Sequence, residues 1–565
     1  MFETTDSNDA LFSADFNTES TLDTISPQST SSSSSVFYDR GTLEADIFSL
    51  PPGYQLSVVS GNGNVEYGDG FYDTLDLSNI SIDSVELGFV KNDEGYYYDA
   101  GDGRRTFDSV IFSNGRQLLF EGVERIVFAD RMLDLTFKPD DTYFDAQWNL
   151  HAMGVQTAWQ LTTGTDDVLI GVQDTGLALT SSGGTHPDLQ DETWNLSDNI
   201  RDNFYLNDGA GGVEKQTTSH GTAVQGIISA ETNNGIGIAG INWNSDVYNI
   251  DVLNGQEFDL ELNLAEATQA MIDQATSQGQ KLVINMSIGK SLLAEPYLEE
   301  LVAANQDNVL FVIASGNGGE DKIGDPELSS PSSLAMEYDN VVAVGASSRE
   351  IDDYTGDAVP LGTRTSYSNY GEGITVMGPT YVPSISATSE GDLTYDYFNG
   401  TSAAAPNVAG VASLVWSANN DLSASQVKQI ISETAYDLGR EGYDLVYGSG
   451  LVNADGAVRM AIATEPETTL SDYNYSLSTT PALSYTTSSD SAVVSSVSER
   501  DAVTTSTISS DRANNFEVQN DVVERSGNSE LPTSLFDYDA PELQQIAKLD
   551  AELVREDLYS SPLYQ

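Results

Sequence analysis

Six apolar runs separated by helical stretches constrain the fold of this chain more than any other feature. They are Val168 to Val172, Val247 to Leu253, Leu282 to Met286, Val309 to Ala314, Val341 to Val344 and Ile374 to Met377. Runs that are apolar without alternation suit strands buried on both faces, and helical stretches between them imply right-handed crossovers in a parallel sheet. One such stretch carries Leu264, Ala267, Met271, Ile272 and Ala275, spaced to form a single buried helix face. The fold class expected is α/β, a parallel sheet flanked by helices over residues 145–463.

The chain on either side has a different texture. Residues 1–36 are acidic and Ser-rich, with an unbroken serine run from Ser31 to Ser35, and are expected to be a disordered arm. Residues 37–140 are rich in Tyr, Val and Gly, with short runs such as Leu118 to Phe120 and Val123 to Phe128 and a turn signal at Asn114-Gly115, so a small all-β domain is expected. Within it, Gly68-Asp-Gly-Phe-Tyr-Asp-Thr-Leu75 is similar to one calcium-binding Gly/Asp repeat of secreted repeat proteins. Such repeats need stacked neighbours, no repeat of solenoid period is legible, and a lone copy reads as a hairpin turn. Residues 464–535 form a Ser/Thr-rich linker, and 536–565 a tail with a short helix expected over 541–558, where Leu543, Ile546, Ala547, Leu553 and Val554 form an apolar stripe.

Charge narrows the partner classes. Acidic residues number 87 against 23 basic ones, a formal net charge of −64. Nucleic acid and anionic membrane surfaces require clustered Lys and Arg, so neither is an expected partner. A chain so self-repelling favours uptake of cations. The sequence contains no Cys, which removes disulfides, thiolate ligands and thiol nucleophiles. The N-terminus has neither the basic start nor the apolar core of a cleaved signal, and the longest apolar run, Val408 to Ala418, is far shorter than the ~20 residues that span a bilayer. The expectation is a monomer with no membrane span, either extracellular by a route without a cleaved N-terminal signal or cytoplasmic.

The most informative segment is Asn399-Gly-Thr-Ser-Ala-Ala-Ala-Pro-Asn-Val-Ala-Gly410. Its small residues allow close backbone approach, and the Ala-rich run suits a buried helix with Ser402 at its N-terminus, where the macrodipole favours developing negative charge. A serine needs a base to act as a nucleophile. Only His151, His186 and His220 are available, and His220 lies in a run of small and apolar residues, Ser219-His-Gly-Thr-Ala-Val-Gln-Gly-Ile-Ile-Ser229. Asp174 ends the run Val168 to Val172 in a turn, Asp174-Thr-Gly176, at the strand end where α/β proteins bind ligands.

With these motifs the chain resembles the subtilisin-like serine proteases, the subtilases, over roughly residues 145–463: Asp174, His220 and Ser402 stand in that family's Asp, His, Ser order. The resemblance implies a subtilisin-like peptidase domain acting as a serine endopeptidase on protein or peptide substrates. Ser402 would attack the peptide carbonyl, His220 would carry the proton and Asp174 would hold the imidazole. Asn317, in Phe311-Val-Ile-Ala-Ser-Gly-Asn-Gly318, matches the oxyanion asparagine. By the same resemblance Ser287, Ile288 and Gly289 form one wall of the substrate cleft and Ala314, Ser315 and Gly316 the other, which implies broad specificity. Ala403-Ala404 beside the nucleophile is similar to the kexin-like branch, but Asn285 to Lys290 carries no acid that would select basic residues.

The stretch Thr232-Asn-Asn-Gly-Ile-Gly-Ile238 resembles the subtilase calcium loop. The resemblance implies a structural Ca2+ held by Gln147, Asp188 and Asn234 through their side chains and by Thr232, Ile236 and Ile238 through their carbonyls. His186 and His151 read as structural residues. The alternatives to a general endopeptidase are a binding or adhesion protein on an inactive subtilase scaffold, and a processing peptidase with few substrates.

Overall fold

The computed structural model describes residues 36–92, 95–99, 104–178, 185–189, 205–207, 213–215, 220–252, 260–289, 296–318, 323–387 and 393–464. Apart from Val36, the expected arm lies outside the described residues, as do the linker and the helix expected over 541–558.

The N-terminal strands are β1 (Val36–Arg40), β2 (Ile47–Ser49), β3 (Leu56–Ser60), β4 (Thr74–Leu77), β5 (Val85–Gly88), β6 (Tyr96–Asp99), β7 (Arg104–Phe112), β8 (Gln117–Glu121), β9 (Arg125–Phe128) and β10 (Met132–Asp134). They make two sheets, β1-β3-β8-β7-β5 with β6 also on β7, and β10-β9-β4-β2. Phe48, Leu75, Leu77, Ile126 and Phe128 of one sheet pack against Val59, Val110, Leu118 and Phe120 of the other, so the core lies between the sheets. Asn114-Gly115 does turn a hairpin, from β7 into β8.

The Gly68–Leu75 stretch is not a hairpin. Tyr67–Asp69 form a single 3₁₀ turn, Gly70 takes φ 86°, and β4 then pairs in parallel with both β2 and β9. Because β1, β3 and β8 are parallel as well, the chain climbs in three coils, each giving one strand to each sheet. The long excursion 78–116 between the second and third coils breaks the spacing, which is why no repeat is legible in the sequence.

From Trp148 the chain becomes α/β. Two short helices, α1 (Trp148–Ala152) and α2 (Val155–Ala158), precede β11 (Val168–Asp174). A small hairpin follows, β12 (Tyr205–Asn207) with β13 (Val213–Lys215), and then α3 (His220–Ser229), β14 (Asp246–Asp251), α4 (Leu260–Gln278), β15 (Lys281–Met286), α5 (Pro296–Ala304), β16 (Val309–Ala314), β17 (Val341–Ser347) and β18 (Ile374–Pro379). The antiparallel pair β19 (Val382–Ala387) and β20 (Leu393–Phe398) leads into α6 (Thr401–Ala418), α7 (Ala424–Thr434) and α8 (Ala454–Ala463).

The six expected runs are the six strands of one parallel sheet, in the order β14-β11-β15-β16-β17-β18. Strand β16 shows why its run does not alternate. Leu310, Val312 and Ala314 face the core that holds α3 and α6, while Val309, Phe311 and Ile313 face the layer of α4 and α5. Leu264, Ala267, Met271 and Ala275 of α4 bury the expected face against that second side, with Ile272 at its margin.

The β coils and the α/β part are joined through α8. The guanidinium of Arg459 forms ion pairs with Asp108 of β7 at 2.8 Å and with Asp455 of its own helix at 2.7 Å. Asp455 also accepts from Gly122 N at 2.9 Å, and the Tyr97 hydroxyl donates to Ala463 O. Arg459 is 6% exposed and both carboxylates are buried, so neither acid has water to fall back on. Removing one partner of such a cluster typically costs about 3–5 kcal/mol. Arg459→Met is therefore expected to lower unfolding stability by roughly that amount, measured by urea denaturation, and to do so more than Lys138→Met, whose ion pair with Asp145 is half exposed.

Candidate active site

The C-terminal edge of the parallel sheet collects the expected residues. Strand β11 ends at Asp174, and α3 begins at His220 against the turn that follows it. Gly221 makes that approach feasible, since a Cβ there would lie 2.4 Å from Gly176 O. Two hydroxyls pin the joint: Thr175 Oγ1 accepts from Gly221 N at 2.9 Å and Thr222 Oγ1 from Ala178 N at 2.7 Å. As a result His220 Nδ1 donates to Asp174 Oδ1 at 2.7 Å, with the carboxylate fully buried. Thr175 N donates to the same oxygen at 2.7 Å, and the Phe398 ring stands edge-on to the imidazole at 4.9 Å.

Ser402 lies in the first turn of α6, which packs against α3. The first N–H groups of a helix have no intrahelical acceptor, so the Ser402 N–H faces outward from the helix start. Pro406 sits inside α6 and has no N–H to give to the carbonyl four residues back, which belongs to Ser402. That carbonyl instead accepts from Ser287 Oγ at 2.8 Å, while Ser402 Oγ donates to Ser287 O at 3.0 Å. Asn285 Nδ2 completes the set by donating to Ser287 Oγ at 2.9 Å. In this arrangement the Ser402 hydroxyl is directed at Ser287, and Asp174 and His220 are the two triad candidates in direct contact.

Asn317 follows β16 between two positive-φ residues, Gly316 and Gly318. Its Oδ1 accepts from Thr401 N at 2.8 Å and from Thr401 Oγ1 at 2.9 Å. Those two bonds hold the amide against the start of α6, and both of its polar atoms lie beside Gly400, where a Cβ would come within 3.3 Å of Nδ2 and 3.5 Å of Oδ1.

The two expected cleft walls, Ser287 to Gly289 and Ala314 to Gly316, leave the C-terminal ends of the paired strands β15 and β16. Ser315 is tied to the sheet through Val344 O and to Asn369 O through its hydroxyl, at 2.9 and 3.1 Å. Between the walls stands Ser329, a residue the sequence did not single out. A side chain on Gly316 would strike it, one on Gly289 would press against it at 3.3 Å, and its Oγ accepts from Asn369 Nδ2 at 3.2 Å.

At the expected calcium loop, Asp188 Oδ1 accepts from Asn234 Nδ2 at 2.9 Å and its Oδ2 from Ile238 N at 3.0 Å. Asn234 Oδ1 accepts from Ile236 N at 2.9 Å, and the Gln147 amide both donates to and accepts from the Ala239 backbone at 2.7 Å. Thr232 closes the loop through Gly240 N at 2.9 Å. Asp141, also missed in the sequence, accepts from Asn233 N at 2.7 Å. Burial pushes the Asp188 carboxyl up to about 7, and the nearby Asp141 adds to the rise. A buried acid whose charge is disfavoured beside a second acid is chemistry that a hard cation relieves. Among the described residues no group of three or more acidic or His side chains is arranged for a metal, so a cation here would have to draw on amide and backbone oxygens as well.

The other two histidines are structural. Burial holds His151 down to about 3 and His186 down to about 4, so both are neutral near pH 7. His151 packs its ring against Tyr67 and Phe144, and His186 Nδ1 accepts from Asp188 N at 3.1 Å.

Comparison with known proteins identifies the family of the α/β part. Residues 165–450 match the model of the family described as the Subtilase family. The chain is 32% identical over 292 residues to an alkaline protease of Alkalihalobacillus alcalophilus, covering 52% of this chain and 64% of that protein. It is likewise 32% identical to subtilisin Savinase of Lederbergia lenta, covering 52% of this chain and 91% of that one. To an extracellular protease of Xanthomonas campestris pv. campestris it is 29% identical over 381 residues, with 61% of each covered. The chain therefore spans a little under two thirds of the length of the first and third of these relatives. With its parallel sheet, its Asp, His, Ser order and a family match over half its length, the chain belongs to the subtilase family.

Proposed function

We propose that the protein is a serine endopeptidase that hydrolyses peptide bonds in protein or peptide substrates through an acyl-enzyme intermediate, and that calcium stabilises it. The observation that carries this reading is the buried 2.7 Å bond from His220 Nδ1 to Asp174, which leaves Nε2 as the ring nitrogen for proton transfer. Ser402 Oγ turns from Ser287 O to His220, gives up its proton to Nε2 and attacks the scissile carbonyl carbon. The carbonyl oxygen becomes an oxyanion, received by Asn317 Nδ2 and the Ser402 N–H. Collapse of this intermediate expels the amine, which takes the proton from His220, and leaves the acyl group on Ser402. Water then repeats the sequence from the other side, with His220 again as base.

An extended peptide lying along Ser287 to Gly289 would pair through its backbone, a mode that reads few side chains. Ser329 between the two walls limits how large a side chain the cleft accepts, which favours small residues before the scissile bond. The inactive-scaffold alternative finds no support, since each triad position holds the competent residue type.

For calcium, Asp188, Asn234 and Gln147 would supply side-chain oxygens and Thr232, Ile236 and Ile238 backbone oxygens. To ligate, Asn234 would present its oxygen in place of the Nδ2 it gives Asp188. Bound there, the cation would supply positive charge to a buried carboxylate and fix the loop that follows α3.

Three outcomes are expected. A fluorophosphonate probe should label the wild type and not Ser402→Ala, which should also lose casein cleavage; failure to label the wild type in calcium-containing buffer overturns the peptidase reading. Asn317→Ala should lower kcat by roughly 100- to 1,000-fold with KM little changed, the loss seen in subtilisin itself when its oxyanion asparagine is removed. A chelator should lower the melting temperature, and calcium at 100 times its Kd should restore about 2.7 kcal/mol; an unchanged melting temperature in Asp188→Asn with and without chelator, matched by an unchanged wild type, removes the site.

A further inference from the structure

The turn that carries Ser402 is held from behind by three side chains, those of Asp353, Tyr367 and Thr380. Gly400 is the N-cap of α6, with φ 90° and ψ 170°. It has no side chain with which to cap the helix, and it is buried. Its carbonyl accepts from Ala403 N at 3.0 Å as the first helical acceptor, while its N–H lies outside the helix and must find an acceptor elsewhere. That acceptor is the phenol oxygen of Tyr367, at 3.1 Å. Tyr367 in turn donates to Asp353 Oδ2 at 2.9 Å. On the other side of the same residue, Thr380 Oγ1 donates to Gly400 O at 3.1 Å and lies 3.1 Å from the Tyr367 hydroxyl.

We propose that Asp353, Tyr367 and Thr380 are positioning residues that clamp both backbone groups of Gly400, and so set where the Ser402 hydroxyl and N–H stand relative to the Asn317 amide. The inference rests on the serine-peptidase reading of Ser402. Three features favour positioning over simple packing. A phenylalanine would fill the space of the Tyr367 ring, which is 5% exposed, so packing alone does not require a hydroxyl. The clamp grips one residue from both sides, and that residue precedes the nucleophile by two positions while its Cα faces Asn317 Nδ2. The chain of contacts also has a direction. The Asp353 Oδ1 atom is sealed from solvent, and its carboxylate accepts the only proton Tyr367 has, which leaves the phenol oxygen as an acceptor for Gly400 N–H.

Catalysis demands that the serine oxygen, the base and the oxyanion donors meet with little positional error, so a shift of the serine turn by a fraction of an ångström affects the transition state more than substrate binding. The test compares Tyr367→Phe, Thr380→Val and Asp353→Ala with the conservative Thr380→Ser and Asp353→Asn, which keep the hydroxyl donor and a carbonyl acceptor. Turnover is counted per active site titrated with a fluorophosphonate, so that misfolded molecules do not enter kcat. The expected result is a fall in kcat per titrated site of about tenfold for Tyr367→Phe, with KM within about twofold, and recovery toward wild type in Thr380→Ser and Asp353→Asn. Wild-type kcat per titrated site in Tyr367→Phe overturns the proposal, as does a loss that appears only as a lower titre and a lower melting temperature. A wild type that neither labels nor cleaves overturns the peptidase reading first, and is recognised without any variant.

Discussion

The candidate site depends on one buried contact, the carboxylate of Asp174 against the imidazole of His220. A carboxylate with no exposed surface cannot be satisfied by water, so its neighbours must supply every donor. Strand β11 brings it to the sheet edge, where Thr175 N donates to its Oδ1, and the Thr175 hydroxyl holds the Gly221 amide against the same turn. The imidazole follows because α3 starts where only a glycine can abut that turn. Imidazole orientation is thus a consequence of backbone packing at the next residue, and a bulkier residue at 221 would move the imidazole.

A second dependence is the exchange between Ser402 and Ser287. Proline inside a helix usually weakens it by removing a hydrogen bond and crowding a carbonyl. Here the carbonyl left over is that of Ser402, the proposed nucleophile, and it is taken up by the Ser287 side chain just past the end of β15. The defect in α6 therefore becomes a tie between the nucleophile and one wall of the cleft. Both partners belong to rigid elements, which is the condition for holding reacting groups to a few tenths of an ångström.

The sequence made the α/β half legible because its signals were local: unalternating runs for strands buried on both faces, and an Ala-rich stretch after Ser402 for a helix that the core encloses. The triad and Asn317 stood in motifs whose residue types are themselves the chemistry. What escaped was relational. Ser329, Asp141 and Tyr367 sit in segments with no pattern of their own and become part of the site only through distant partners, as with Tyr367 and Gly400. The β coils escaped for a related reason, since parallel pairing of β2, β4 and β9 joins strands far apart in the chain, and the excursion 78–116 leaves no period to detect.

The acid surplus explains a recurring device in the fold. With so few basic residues, most buried carboxylates are met by amide donors and not by Lys or Arg. Glu124 accepts from Asn64 Nδ2, Asp73 N and Gln156 Nε2 at 2.8, 2.7 and 3.0 Å. Asp73 accepts from Asp46 N at 2.7 Å. Neutral donors do not offset burial, and both of these acids have their pKa values raised by it, each charge also opposing the other at Asp73. Groups raised in this way bind protons more tightly in the folded state, so the stability they lend is complete at acidic pH and is lost as pH climbs through their folded values. For these two acids the folded state is favoured while they keep their protons, and at higher pH their charges call for positive charge nearby. Arg459 meets that demand between the β coils and α8. At the Asp188 loop no arginine fills that place among its described partners, and the calcium proposed there would be the physical equivalent.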